Sequence, residues 1–304
     1  MFWEEVDDKI LLHTPSGFSF SNNLQYLSRS TNECLFHIQD NKIRKAIPLG
    51  TCNLLIEISE YKDQILAINL INDTCSDGKN RNEEIVAYII EWFDLNADLQ
   101  EFYKLASTDP ILSQAAQKFE GLRIMGIPDL FEAMTWGILG QQINLTYAYT
   151  LKRRLVENYG HSIHFEGHDY WLFPTPDTIA NLTVHDLSGL KMTVKKCEYL
   201  IDVANLIHKG LLTKEMLLAE NDVKRAEKIL TQIRGIGPWT ANYVLMRCLR
   251  FPSAFPIDDV GLHSAIKQVT GSPTKPTRNE IMQLAHHWTG WEAYATFYLW
   301  RLLY

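Results

Sequence analysis

"LTQIRGIGPWTANYVLMRCLRFPSAFPIDDVGL", residues Leu230–Leu262, holds a two-glycine turn, a helical periodicity that opens on tryptophan, and a pair of adjacent aspartates. Glu227 to Ile233 and Trp239 to Leu249 both carry apolar residues at helical spacing, and Arg234-Gly235-Ile236-Gly237-Pro238 joins them. Glycine at 235 and 237 permits positive φ and puts no Cβ in the way of an approaching group. Pro238 suits the first turn of a helix, where a missing N–H costs nothing. Such a turn exposes backbone N–H groups, and together with the N-terminus of the next helix they converge on one anion. A tight αα-corner would use the same glycines for packing alone. The apolar Ile236 between them and the amphipathic flanks favour a helix-hairpin-helix that grips a phosphate, a contact that positions a duplex without reading its sequence.

The aspartates follow a proline-rich loop, FPSAFPIDD, and open a new apolar-periodic segment. One reading is structural: Asp258 caps the helix and Asp259 adds charge at the positive end of its dipole. The other uses the same field, which favours an ionised carboxylate. That carboxylate stabilises a cationic transition state or activates water. Cleavage of an N-glycosidic bond, which leaves positive charge on the deoxyribose, is such a reaction.

Outward from this stretch, 304 residues suit two domains or three modest lobes. A net charge of -7 excludes a protein that coats nucleic acid by bulk attraction, so DNA binding requires a local basic face. Cys34, Cys52, Cys75, Cys197 and Cys248 are scattered, without C-x-x-C pairs or metal-ligand spacing, and fit a reducing compartment. MFWEEVDDKI is no secretory signal and no apolar run spans a membrane, so a soluble cytoplasmic protein is expected, nucleoid-associated if bacterial.

Residues 1–82 read as a small α+β domain: β-type runs at CLFHIQ, NLLIEIS and QILAINLI, with one helix at FSNNLQYLSRS. After the turn-rich stretch 73–82, residues 83–304 read as all-helical, punctuated by proline and glycine at the helix boundaries.

GIGPWTANY followed by FPIDD resembles the signature of the helix-hairpin-helix base-excision DNA glycosylases, and within them the DNA-3-methyladenine glycosylase II group. GLRIMGIPDLFEAMTWGILGQQIN, WLFPTPDTIANL, LSGLKMTVKKCEYLIDVANL and EAYATFYLW extend the likeness from Gly121 to Trp300. The resemblance implies an N-terminal lobe of TATA-binding-protein-like α+β fold. An all-α helix-hairpin-helix region of two helical lobes would follow, with the active-site cleft between them. The implied activity is release of alkylated purines such as 3-methyladenine from duplex DNA. The alternatives are a glycosylase for deaminated or oxidised bases and a non-catalytic hairpin protein that only binds DNA.

By the family's pattern Asp259 is the catalytic carboxylate. Bifunctional glycosylase/lyases carry lysine after G-x-G-x, where its amine forms a Schiff base; here the residue is Trp239, which implies a monofunctional enzyme using water. Trp239, Tyr243 and Trp300 correspond to the walls of the base pocket. Core packing is the commoner use of such residues. Gln142, beside Gln141, sits where relatives carry an apolar wedge that fills the gap left by a flipped base; a pair of glutamines satisfying helix ends is the structural alternative. Backbone contacts are expected from Arg234, Gly235, Ile236 and Gly237, and from Lys191, Lys195 and Lys196. A monovalent cation held by hairpin carbonyls is the one cofactor the resemblance suggests. No iron–sulfur cluster is expected, because no cysteine follows Cys248. A monomer acting on damaged double-stranded DNA completes the expectation.

Overall fold

The computed structural model describes residues 1–50, 52–72 and 80–304. β1 (Trp3–Val6), β2 (Lys9–His13), β3 (His37–Gln39), β4 (Lys42–Leu49), β5 (Cys52–Lys62) and β6 (Ile65–Asn72) form one antiparallel sheet, in the order β1-β2-β6-β5-β4-β3. The helix anticipated at FSNNLQYLSRS is Phe20–Leu27, capped by the Ser19 hydroxyl accepting from the Asn22 N–H. The stretch 73–82, read as the turn between domains, lies largely outside the described residues.

Alternation on β5 shows why the sheet needs partners on both faces. Leu54, Ile56 and Ile58 are buried in the main core with Ile43 and Ile47 of β4 and with Ile85 and Ile89 of the helix Arg81–Trp92. Leu55 and Ala46 point the other way and meet Tyr170 and Leu172. These two belong to β8 (His168–Leu172), paired with β7 (His161–Phe165) in a separate two-stranded sheet. This hairpin is the exception to the all-helical reading of residues 83–304. Its strands are short and rich in polar residues, and their strand character depends on covering the second face of β4 and β5. Arg44 on β4 fastens it, its guanidinium donating to Glu57 at 2.8 Å and to Glu166 in the β7–β8 turn at 2.7 Å.

The rest is helical, and one hydrophobic cluster runs from Ile10 to Trp300. The buried Asn23 side chain donates to the Gly121 carbonyl at 3.0 Å and accepts from the Arg123 N–H at 3.0 Å, joining the N-terminal lobe to the segment before the helix Leu130–Leu139. Lys152, on the helix Leu145–Tyr159, sits between Glu33 of the N-terminal lobe at 3.1 Å and Glu132 at 3.3 Å.

Cys34, Cys197 and Cys248 are buried free thiols. Among the described residues no helix is long and apolar enough to cross a membrane.

Candidate active site

The hairpin joins the helices Val223–Thr231 and Pro238–Arg247. Gly235 has φ +86°, and a Cβ there would lie 2.3 Å from the Tyr199 ring, so both backbone and packing demand glycine. Around Gly237 nothing lies within 4 Å of a built Cβ, which leaves this side of the turn open to a large anionic ligand. The Ile236 N–H is spent on Ile233 O at 3.0 Å, and its side chain is buried. Ile236 therefore anchors the turn, and the N–H groups of Gly235 and Gly237 have no acceptor among the described residues.

Asp259, and not Asp258, caps the next helix, Val260–Thr270: its Oδ1 accepts from the Leu262 N–H at 2.7 Å. The cap expected of Asp258 thus falls to Asp259, the residue also expected to carry the chemistry. Asp258 is exposed and paired with Arg278. The Asp259 carboxylate is further held by two indoles, Trp300 Nε1 donating to Oδ1 at 2.7 Å and Trp239 Nε1 to Oδ2 at 2.8 Å. Tyr243 lies against both rings, with centroids 5.7 Å from Trp239 and 6.3 Å from Trp300. The three aromatic side chains and the aspartate are thus brought into one place. They line a cleft of about 580 Å³ whose rim includes Gln142, Asn144 and Leu145, a size suited to a small ligand. Burial pushes the Tyr243 phenol well above its usual range and keeps it neutral; its hydroxyl accepts from Arg247 at 2.8 Å.

Gly261 carried no role in the sequence reading, although it stands two positions after the aspartate. A Cβ there would lie 2.8 Å from Asp259 Oδ1 and 3.2 Å from the Trp300 ring. Alanine is the better helix former, so Gly261→Ala should leave the melting temperature nearly unchanged. It should also slow single-turnover base release by about ten- to a hundredfold, because the carboxylate must move. A normal rate would mean that the helix start accommodates the methyl elsewhere.

The remaining expected residues divide. Gln141 is a strut: its Nε2 donates to Gly235 O at 2.8 Å and to Thr240 Oγ1 at 3.2 Å, tying the hairpin to the helix Leu130–Leu139 and removing it from the wedge. Gln142 is exposed at the cleft rim in the left-handed region, φ +56°. Arg234 is occupied by Glu198 and by Asp202 at 3.3 Å. Lys191 and Lys195 are exposed. Lys196 is buried, its ammonium donating to Leu139 O at 2.8 Å, which corrects its assignment to the DNA surface. Lys195→Ala is therefore expected to lower the slope of log K against log salt for duplex binding by about 0.9. Lys196→Ala should leave that slope alone and cost about 1–3 kcal/mol of stability, seen in urea unfolding. Among the described residues no group of three or more His, Cys, Asp or Glu side chains is placed to hold a metal.

Two family descriptions match the chain: "HhH-GPD superfamily base excision DNA repair protein" over residues 135–290 and "8-oxoguanine DNA glycosylase, N-terminal domain" over residues 11–134. The chain belongs to the HhH-GPD superfamily. Among curated relatives, a DNA-3-methyladenine glycosylase of Bacillus subtilis is 52% identical over the whole of both chains. DNA-3-methyladenine glycosylase 2 of Escherichia coli is 32% identical over 59% of this chain and 60% of its own. In fold, the HhH-GPD chain is similar to a 3-methyladenine DNA glycosylase from Archaeoglobus fulgidus (TM-score 0.80, 20% identity, covering 96% of this chain and 97% of that one). It is also similar to an 8-oxoguanine glycosylase/lyase from Clostridium acetobutylicum solved with double-stranded DNA (TM-score 0.77, 21% identity, covering 99% and 97%).

Tyr26, Arg29 and Arg247 also line the superfamily member's cleft, and sequence reasoning missed all three. Tyr26 and Arg29 lie far from the hairpin in sequence and carry no motif.

Proposed function

We propose that the protein is a monofunctional DNA glycosylase that releases alkylated purines of the 3-methyladenine type from duplex DNA. The observation that carries this reading is the Asp259 carboxylate, held by the Trp239 and Trp300 indoles inside a cleft walled by aromatic rings. The whole-length identity with a protein named DNA-3-methyladenine glycosylase supports the substrate class.

The hairpin N–H groups grip a phosphate and Gln142 at the rim enters the stack as the damaged nucleotide swings out. An alkylated purine bears positive charge, and each aromatic face attracts it by about 0.5–2 kcal/mol. As the C1′–N bond breaks, its electron pair leaves with the base, which needs no acid because it departs neutral. Positive charge moves to the sugar, where the Asp259 carboxylate stabilises it and accepts a proton from the attacking water. Trp239 occupies the position from which a lysine amine would attack the sugar, so no imine forms and the backbone stays intact. One flipped nucleotide needs one site, and the protein acts as a monomer in the cytoplasm.

The test is chromatography of bases freed from methylated duplex DNA, with strand breaks scored before and after alkali. Free 3-methyladenine with breaks only after alkali is expected. Breaks without alkali would remove the monofunctional reading, and absence of any free base would remove the glycosylase.

A further inference from the structure

The cleft has a cationic floor. Arg29 follows the helix Phe20–Leu27 of the N-terminal lobe and lines the same cleft as Asp259. Contacts run in order between the two. Asp259 is bonded to Trp239 and Trp300, and Tyr243 packs on both rings. Arg247 bonds the Tyr243 hydroxyl at 2.8 Å and the Tyr26 hydroxyl at 3.2 Å, and Arg29 lies 3.8 Å over the Tyr26 ring.

The two arginines are used differently. Arg247 is buried and engaged, donating to Met125 O at 2.5 Å as well as to the phenols. Arg29 makes one hydrogen bond to the chain, Nη1 to Tyr26 O at 2.8 Å. A guanidinium carries five donors in a rigid fork. Packing on the Tyr26 and Tyr149 rings fixes its plane without using its other N–H groups. The Arg29 side chain is partly exposed at a cleft that it shares with the aromatic walls and Asp259, so its unspent donors are open to an acceptor that arrives with the ligand.

Resting on the reading of the cleft as a purine pocket, we propose that Arg29 is a specificity-determining residue that donates to the carbonyl oxygen at C6 of the flipped base. Guanidinium to O6 is the pairing by which arginine reads guanine. In 7-methylguanine the methyl group blocks N7 and leaves O6 as the acceptor on that edge. 3-Methyladenine carries an amino group at C6, whose hydrogens meet the donors of Arg29. As the C1′–N bond breaks, its electron pair spreads over the purine ring to O6, so this contact strengthens along the reaction. The N-terminal lobe thereby supplies the part of the pocket that distinguishes 6-oxo from 6-amino purines.

Methylated duplex DNA contains both bases, and the ratio in which they are released is an internal control, because a general loss of folding or binding lowers both alike. For Arg29→Met, 7-methylguanine release should fall by about ten- to a hundredfold relative to 3-methyladenine in single turnover, as loss of one charged hydrogen bond predicts. Arg29→Lys, which keeps the charge and a donor but loses the fork, should recover part of the difference. Should Arg29→Met fail to fold, a fall in the ratio with Arg29→Lys decides the matter. An unchanged ratio in the folded variants, or one shifted toward 7-methylguanine, overturns the proposal. So does a wild type that frees 3-methyladenine and no 7-methylguanine, which leaves the glycosylase reading intact. A wild type that frees neither base ends both.

Discussion

Asp259→Asn should reduce the single-turnover rate of base release by about 10²–10⁴-fold, the usual contribution of a positioned general base, and leave duplex binding nearly as it was. Asparagine is as good a helix cap as aspartate, so the helix Val260–Thr270 keeps its start and the protein its melting temperature. The amide offers one acceptor oxygen where the carboxylate offers two, and the Trp239 and Trp300 indoles both require one. The variant therefore loses the negative charge and one of two positioning contacts. The rate is read with methylated duplex under enzyme excess, and binding with an uncleaved duplex of the same sequence. Wild-type rates in the variant would place the chemistry on another residue, and equal losses of rate and binding would make Asp259 a structural cap.

The second large effect is on stability. Lys152→Met leaves two carboxylates without their shared ammonium at the junction between the N-terminal lobe and the helices. Removing one member of a buried ion pair costs about 3–5 kcal/mol. In the wild type, burial alone would raise the Glu33 carboxyl; the Lys152 ammonium and the Leu35 amide overcome it and hold the group below its ordinary range. A carboxyl depressed in the folded state stabilises the fold above its unfolded pKa, and that stability is lost as pH falls through the folded value. In the variant the sign reverses. Without the ammonium, burial outweighs the remaining Cys34 and Leu35 amides and the more distant Lys45 and raises Glu33, so the fold binds its proton more tightly than the unfolded chain does, and stability declines as pH rises. Urea midpoints at pH 5 and pH 7 should show a larger deficit at pH 7. A deficit independent of pH would assign the loss to packing.

The chemistry of the site was more legible in the sequence than its geometry. The hairpin could be read because two glycines, a proline and flanking helical periods are local signals, each with its own steric cause. The aspartate could be read as a chemical type, but its cap role fell on the wrong neighbour, because the choice depends on where the backbone turns and Asp258 is drawn outward by Arg278. Lys196 looked like surface because it adjoins the exposed Lys195, and one residue along a helix is enough to turn a side chain inward. The β7–β8 sheet was hidden because its strands owe their form to the exposed face of β4 and β5. Tyr26 and Arg29 were invisible for a related reason: they enter the cleft through tertiary packing of a distant segment, which no local spacing records, whereas Arg247 stands one helical turn after Tyr243 and could have been read from that spacing.

A carboxylate offers about four lone-pair directions. In Asp259 the Leu262 amide and the Trp300 indole occupy Oδ1, and the Trp239 indole occupies one side of Oδ2. One direction remains, on a single oxygen, so the nucleophile has one docking point and one angle of approach. On the proposed mechanism water is delivered from the side of the sugar ring that faces this oxygen, and the abasic product should form first as a single anomer. Its scrambling to the mixture would belong to ring opening in solution, after the sugar has left that oxygen.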